Sequence, residues 1–193
     1  MPTAWSADPD RLTPTHTGRV RRYAFLDRDG TLVPEYPDAA WRGRTELLLL
    51  PGTGAALRRL ASAGYALVVV TNQYLIDEGL VTDDEYHRQT RSLTSALAVE
   101  GVELLDVLHC RHARTVACGC RKPATGMVEE AVRRHGALDR DGSFVVGDSP
   151  ADMGLADAVG VRGFMVGPQP TSSVPKGTVW VGDLATLVAR VGA

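Results

Sequence analysis

The chain of 193 residues has only three cysteines, no long apolar run and no excess of one charge. No stretch approaches the roughly 20 consecutive apolar residues that cross a bilayer, which excludes a transmembrane helix as an organising element. Met1 to Arg22 has no apolar centre of the kind a secretory signal requires, so the reading is cytoplasmic. With 21 Lys and Arg against 23 Asp and Glu, the formal net charge of -2 gives no general attraction to nucleic acid or to an anionic membrane. The cysteines are odd in number and fall within one short segment, which argues against a disulfide framework and toward a metal site in a reducing compartment. No internal repeat or low-complexity segment is present.

What remains is an ordinary globular composition, long enough for one substantial core. Residues 1 to about 20 carry Pro2, Pro9 and Pro14 without periodicity and read as an irregular leader. Residues 21–193 read as one domain in which strands alternate with helices. Apolar runs end near Leu26, Thr71, His109 and Val146, followed by shorter ones near 163–166 and 179–181. Between them lie helical segments at 55–63, 82–99, 126–134, after Ser149, and 183–191. Thr82-Asp83-Asp84-Glu85 is a capping-box pattern, and Ser149-Pro150 is a cap followed by proline at the first helical position. This alternation predicts a doubly wound, Rossmann-like α/β fold with a parallel sheet and a site at the carboxyl ends of its strands. Gly52-Thr53-Gly54 resembles the start of a dinucleotide fingerprint, but Leu57 stands where a small residue is required.

The chemistry centres on Tyr23-Ala24-Phe25-Leu26-Asp27-Arg28-Asp29-Gly30-Thr31-Leu32. A buried strand there ends in two carboxylates one residue apart. Strand alternation predicts that Asp27 and Asp29 face one side while Arg28 points away. Crowded carboxylates are relieved by a bound cation or by a retained proton. The loop 33–44 is expected above these acids, which gives Trp41, Arg42 and Arg44 two readings: substrate contact, or an aromatic packed at the loop base beside two solvated arginines. Cys110-Arg111-His112 and Cys118-Gly119-Cys120 supply three thiolates and an imidazole, a complete tetrahedral set for a structural zinc, with buried unligated thiols as the alternative.

Asp27-Arg28-Asp29-Gly30-Thr31, Thr71-Asn72-Gln73, Arg121-Lys122-Pro123 and Gly147-Asp148-Ser149-Pro150-Ala151-Asp152 occur in that order. Together they resemble the four motifs of the haloacid dehalogenase superfamily of phosphohydrolases. The metal loop running into Cys120-Arg121-Lys122-Pro123 is similar to the branch that contains D-glycero-D-manno-heptose 1,7-bisphosphate phosphatases and the histidinol-phosphate phosphatase domain. The resemblance implies a domain without a large cap and a Mg²⁺-dependent phosphomonoesterase. It implies Asp27 as the nucleophile, forming an aspartyl phosphate, and Asp29 as general acid and base, which requires a retained proton. It further implies Thr71, Asn72, Arg121 and Lys122 at the phosphate or substrate, with Arg121 offering a fork to a second oxyanion. Mg²⁺ would be held by Asp27, the Asp29 carbonyl and Asp148, with Asp152 behind them to cap a helix or position the lysine. Structural Zn²⁺ would sit on Cys110, His112, Cys118 and Cys120, in the loop 110–120.

The expected partner is a small phosphorylated metabolite, foremost a sugar phosphate of the heptose bisphosphate type, with histidinol phosphate as the alternative. A nucleic-acid 3′-phosphatase and a non-catalytic zinc-stabilised binding module are weaker readings. Neither nucleic acid nor membrane is expected as a partner, and the protein is expected to be a monomer or a small homo-oligomer. After Thr71-Asn72-Gln73 the chain continues Tyr74-Leu75-Ile76-Asp77-Glu78-Gly79, where the branch carries small and basic residues. The added acids are expected to disfavour a second phosphate.

Overall fold

The computed structural model describes residues 19–168 and 173–193, so the expected leader lies, up to residue 18, outside the described residues. Strand β1 (Tyr23–Leu26) is buried along its whole length. Its side chains alternate between two core clusters: Tyr23 and Phe25 join one, Ala24 and Leu26 the other. The same division runs through β2 (Ala66–Asn72), with Val68 and Val70 on the first side and Leu67 and Val69 on the second. A strand that is apolar on both faces requires cover on both faces.

Helices α1 (Thr53–Ser62), α2 (Asp83–Val99) and α5 (Leu184–Val191) supply one layer of cover through Leu57, Leu60, Leu93, Leu97 and Leu187. Helices α3 (Gly126–His135) and α4 (Pro150–Val159) supply the other through Met127, Val128, Val132, Leu155 and Val159. The predicted capping box of α2 forms: the Glu85 N–H donates to Thr82 Oγ1 at 3.2 Å, and the Thr82 N–H donates to Glu85 Oε2 at 2.7 Å. A cap of this kind contributes about 1 kcal/mol and fixes where the helix starts.

With β3 (Asp106–Cys110), β4 (Phe144–Gly147), β5 (Arg162–Val166) and β6 (Val179–Gly182), the strands form one sheet in the order β3-β2-β1-β4-β5-β6. Every neighbouring pair is parallel. The chain winds outward from β1 to β3 and returns to the far side of β1 with β4, which places the topological switch point between β1 and β4. Leu26 is in register with Val69 of β2 and Val146 of β4. Residues just past these three strand ends therefore emerge side by side. No large cap domain is present among the described residues.

The segment expected as an irregular loop over 33–44 contains one turn of 3₁₀-helix, Asp38–Trp41. Trp41 is 3% exposed, and its indole donates to the Tyr36 carbonyl at 3.1 Å. The Arg44 guanidinium lies 3.7 Å from the Tyr36 ring centre. An aromatic pair is what holds this stretch down over the strand ends.

Candidate active site

Asp27, Asp29, Thr71, Asn72 and Asp148, at or just past the strand ends, and Lys122, from the turn after the cysteine loop, meet at one cavity of about 230 Å³, together with Glu35, Trp41, Gln73, Tyr74, Leu75 and Ser149. A space of that size suits a phosphoryl group and a few further atoms. Gly30 lets the first and last motifs meet. Its φ is +78°, and a Cβ there would stand 2.0 Å from Asp148 Oδ2, so only glycine allows the Asp148 carboxylate against this turn. Gly147 does the same for the helix behind, since its Cβ would lie 2.1 Å from Asp152 Cγ.

Lys122 lies at the centre of the arrangement. It is 5% exposed, and its Nζ donates to Asp27 Oδ1 at 2.5 Å and to Asp152 Oδ1 at 2.6 Å. Burial alone would discourage the ammonium, yet Asp152 and Asp27 outweigh it and hold the lysine pKa above its usual value. For Asp27 burial is the larger influence and pushes the carboxyl up, against the pull of Lys122. Facing two carboxylates, Lys122 stays charged, and a divalent cation beside Asp27 would favour its ionised form. Asp152 Oδ1 takes the lysine, while Oδ2 accepts from the Ser149 hydroxyl at 2.5 Å and the Ser149 N–H at 3.2 Å.

Asn72 serves the lysine from behind. Its Oδ1 accepts the Lys122 N–H at 2.9 Å, and its Nδ2 donates to the Lys122 carbonyl at 3.3 Å. The Thr31 hydroxyl donates to Asp27 Oδ2 at 3.3 Å, steadying the other carboxylate oxygen.

Three expectations change. Arg28 does not point away: it is 1% exposed, and its guanidinium returns to grip Asp29 through Nε at 2.7 Å and NH2 at 2.8 Å. The strand has already ended at Leu26, so alternation no longer governs the direction of Arg28. Its fork also reaches Gln73 and Gln89, and its flat face lies 5.3 Å from the Trp41 ring centre. Arg121 does not line the cavity. Its guanidinium donates to the carbonyls of Ala113 at 2.7 Å and Val116 at 2.9 Å, which fastens the cysteine loop rather than awaiting an oxyanion. Asp77 and Glu78 do not add free negative charge, because Arg111 and Arg114 each pair with one of them at 2.8 Å.

Gln73 and Glu35 are site residues that sequence reasoning left unassigned. Gln73 Nε2 donates to Asp29 Oδ2 at 2.7 Å and to Thr71 Oγ1 at 2.8 Å, so one amide orients two cavity groups. Its place directly after Thr71-Asn72 was the available signal. Glu35 is half-buried, and burial, followed by Asp29 and Asp148, raises its carboxyl to about 7. Burial, with Asp152 next, likewise raises Asp148 to about 6. Nothing in a Pro34-Glu35-Tyr36 loop marks a carboxyl that folds back into a cavity.

Two sets of side chains have the composition of metal sites. Carboxylate oxygens of Asp27, Asp148 and Asp152 lie within 4.8 Å of one another. Because Asp152 is spent on Lys122 and Ser149, Asp27 and Asp148 remain as hard oxygen donors suited to Mg²⁺. Donor atoms of Cys110, His112, Cys118 and Cys120 also lie within 4.8 Å of one another. Cys110 Sγ is 3.6 Å from Cys118 Sγ and 3.1 Å from Cys120 Sγ, and His112 Nδ1 is 3.1 Å from Cys120 Sγ. A tetrahedron with Zn–S bonds of about 2.3 Å has edges of about 3.8 Å; the four donors are gathered at that scale, the two 3.1 Å separations being shorter than a zinc tetrahedron's edge. All three thiols are free of disulfides, and Cys110 is buried, with burial pushing its thiol pKa up.

The family described as polynucleotide kinase 3 phosphatase matches residues 22–160 of the chain. The D-glycero-beta-D-manno-heptose-1,7-bisphosphate 7-phosphatase of Rhodopseudomonas palustris is 36% identical over 151 residues, covering 75% of this chain and 82% of that protein. The histidine biosynthesis bifunctional protein HisB of Campylobacter jejuni is 33% identical over 152 residues, and there the match spans only 42% of the relative. Among solved structures, D,D-heptose 1,7-bisphosphate phosphatase from B. bronchiseptica, complexed with magnesium and phosphate, superimposes with a TM-score of 0.79 at 30% identity, covering 88% of this chain and 97% of that one.

Proposed function

The chain belongs to the polynucleotide kinase 3 phosphatase family, within the haloacid dehalogenase superfamily, and it is a phosphatase; from that premise we propose that it removes phosphate from a small sugar phosphate of the heptose 1,7-bisphosphate type, using Asp27 as nucleophile. The observation that carries the reading is the buried Asp27–Lys122–Asp152 chain, with Asp148 held against Gly30 beside it. A Lys122 ammonium fixed between two carboxylates presents a positive charge where phosphoryl oxygens must sit, at no reorganisation cost during reaction.

Asp27, held by Lys122 and Thr31, attacks phosphorus and takes the phosphoryl group as an aspartyl phosphate. Asp29 protonates the departing alkoxide, then accepts a proton from the water that releases phosphate. Arg28 and Gln73 occupy both oxygens of the Asp29 carboxylate, so Asp29 has to leave the Arg28 fork before it can carry a proton to the leaving oxygen. Thr71 and Lys122 receive the phosphoryl oxygens, and Asn72 fixes the backbone that carries Lys122. Mg²⁺ would be held by Asp27, the Asp29 carbonyl and Asp148 and would supply charge neutralisation at the phosphoryl group; the B. bronchiseptica relative, complexed with magnesium and phosphate, supports the choice of metal. Zinc on Cys110, His112, Cys118 and Cys120 would stiffen the loop that leads directly into Lys122.

Histidinol phosphate is the second reading, favoured by one observation: among the described residues lining the cavity, Lys122 is the only cation, so a second phosphate finds no partner within it. Residues 21–193 acting as one domain in the cytoplasm complete the proposal, supported by the single sheet and the three free thiols. No helix among the described residues is long and apolar enough to cross a membrane. The test is phosphate release with Mg²⁺ from heptose 1,7-bisphosphate, histidinol phosphate and hexose phosphates, each beside Asp27→Asn. A strong preference for one substrate, abolished in Asp27→Asn, is expected; full activity in that variant would remove Asp27 from its role.

A further inference from the structure

Three segments that never touch in sequence are tied together beside the cavity. Glu35 and Trp41, from the stretch after β1, line one part of its wall, and Tyr74 and Leu75, just past β2, line another. The Tyr74 hydroxyl donates to Asp38 Oδ1 at 2.9 Å, joining those two parts. Arg114, from the cysteine loop, then closes the ring. Its NH2 lies 3.0 Å from Asp38 Oδ2, its Nε and NH2 donate to Glu78 at 3.0 Å and 2.8 Å, and its backbone N–H reaches Glu78 Oε1 at 3.0 Å. The guanidinium also covers the Tyr74 ring, 4.3 Å from its centre.

We propose that Asp38, Tyr74, Glu78 and Arg114 form a clasp between the cavity walls that sets the size of leaving group the phosphatase admits, favouring small phosphomonoesters over the 3′-phosphate of a nucleic-acid strand. The proposal rests on the cavity being the phosphatase site. An exposed ion pair alone would be a weak fastening. Here one guanidinium holds two carboxylates and one ring, and the carboxylate of Asp38 is shared with a phenol, so the four groups stand or fall together. The tyrosine pKa is pushed up to about 12, by burial first and then by Asp38, which keeps its hydroxyl a donor at neutral pH. Arg114 is thereby spent on holding walls together and offers no free charge to a strand of phosphates. Arg111 adds a parallel tie, bridging Asp77 at 2.8 Å and Asp83 at 2.9 Å. With both walls held, a phosphoryl group carried on a compact metabolite enters, whereas one attached to a nucleotide requires them to part.

The test compares kcat/KM for p-nitrophenyl phosphate and for a 3′-phosphorylated dinucleotide in the wild type, Arg114→Ala, Asp38→Ala and the double variant, with Mg²⁺ present. Neither residue lines the cavity, so turnover of the small ester should hold within about twofold. The ratio of dinucleotide to small ester should rise about fivefold or more in each single variant. Because both substitutions break one clasp, the double variant should gain no further rise. An unchanged ratio, or an equal fall for both esters with a lowered melting temperature, would overturn the clasp and mark the network as structural only. Retained activity in Asp27→Asn would instead overturn the site on which the proposal rests, so the two failures are separable.

Discussion

Replacing Lys122 by Met keeps an unbranched side chain one atom shorter and removes the charge from between two buried acids. At separations of about 3 Å and an effective dielectric near 20, each of the two ion pairs contributes roughly 5 kcal/mol of attraction before desolvation. Taking three ions out of water takes back much of that sum, and breaking a buried pair by removing one partner costs about 3–5 kcal/mol. Part of this is recovered because Asp27, pushed up by burial, takes a proton once Lys122 is gone. A net loss of about 3 kcal/mol corresponds to a fall in Tm of roughly 6–12 °C for a domain of this size. The phosphoryl oxygens lose a fixed charge, which lowers kcat by about 100- to 1,000-fold. Calorimetry across pH checks the first part: the deficit relative to wild type should shrink as pH falls and the stranded acids protonate. Steady-state phosphate release checks the second. A variant with wild-type melting and kcat would refute the view that Lys122 balances these carboxylates and the phosphate.

Glu35 and Asp148 both have raised pKa values in the fold, so their protonated forms favour folding, and the stability they lend is present below their unfolded values and lost as pH rises through about 7 and about 6. The Glu35 shift is worth about 3 kcal/mol at face value, which solvent screening of a half-exposed group reduces to about 1 kcal/mol. Glu35→Gln should therefore melt higher than wild type at pH 8 without Mg²⁺ and equally at pH 4; a lower melt at pH 8 would contradict this. Mg²⁺ should raise the wild-type Tm more at pH 7.5 than at pH 5, where Asp148 is protonated, as differential scanning fluorimetry would record. Metal analysis should find about one zinc per chain, and strong chelation should lower Tm and abolish phosphate release, because the loop 110–120 delivers Lys122; a metal-free protein with unchanged melting would rule zinc out.

The doubly wound sheet was readable because each buried strand is a short apolar run followed by polar residues, and each helix begins at a recognisable cap such as Thr82 or Ser149. The meeting of Asp27, Thr71 and Asp148 was readable for the same reason: a residue at the carboxyl end of a parallel strand has only one place to go; Lys122, in a turn twelve residues past β3, was placed only by the resemblance of its motif. Arg28 was misread because alternation was extended two residues past the strand, where a turn sets side-chain direction. Arg121 was misread because a guanidinium beside a phosphate-binding lysine and one that caps loop carbonyls look identical in sequence. The clasp was not legible at all. Asp38, Tyr74, Glu78 and Arg114 stand up to 76 positions apart, and each reads separately as an exposed charge or a bulky intrusion.

The central claim is that Asp27 carries the phosphoryl group, and the chain is cut favourably for testing it. Trypsin releases Tyr23–Arg28, whose only carboxylic side chain is Asp27, and a separate peptide beginning at Asp29. Rapid quenching during turnover, followed by borohydride reduction, converts an acyl phosphate on aspartate to homoserine. Homoserine is expected at position 27 in the Tyr23–Arg28 peptide, dependent on substrate and Mg²⁺. Unmodified Asp27 under turnover, or homoserine at position 29 instead, would contradict it.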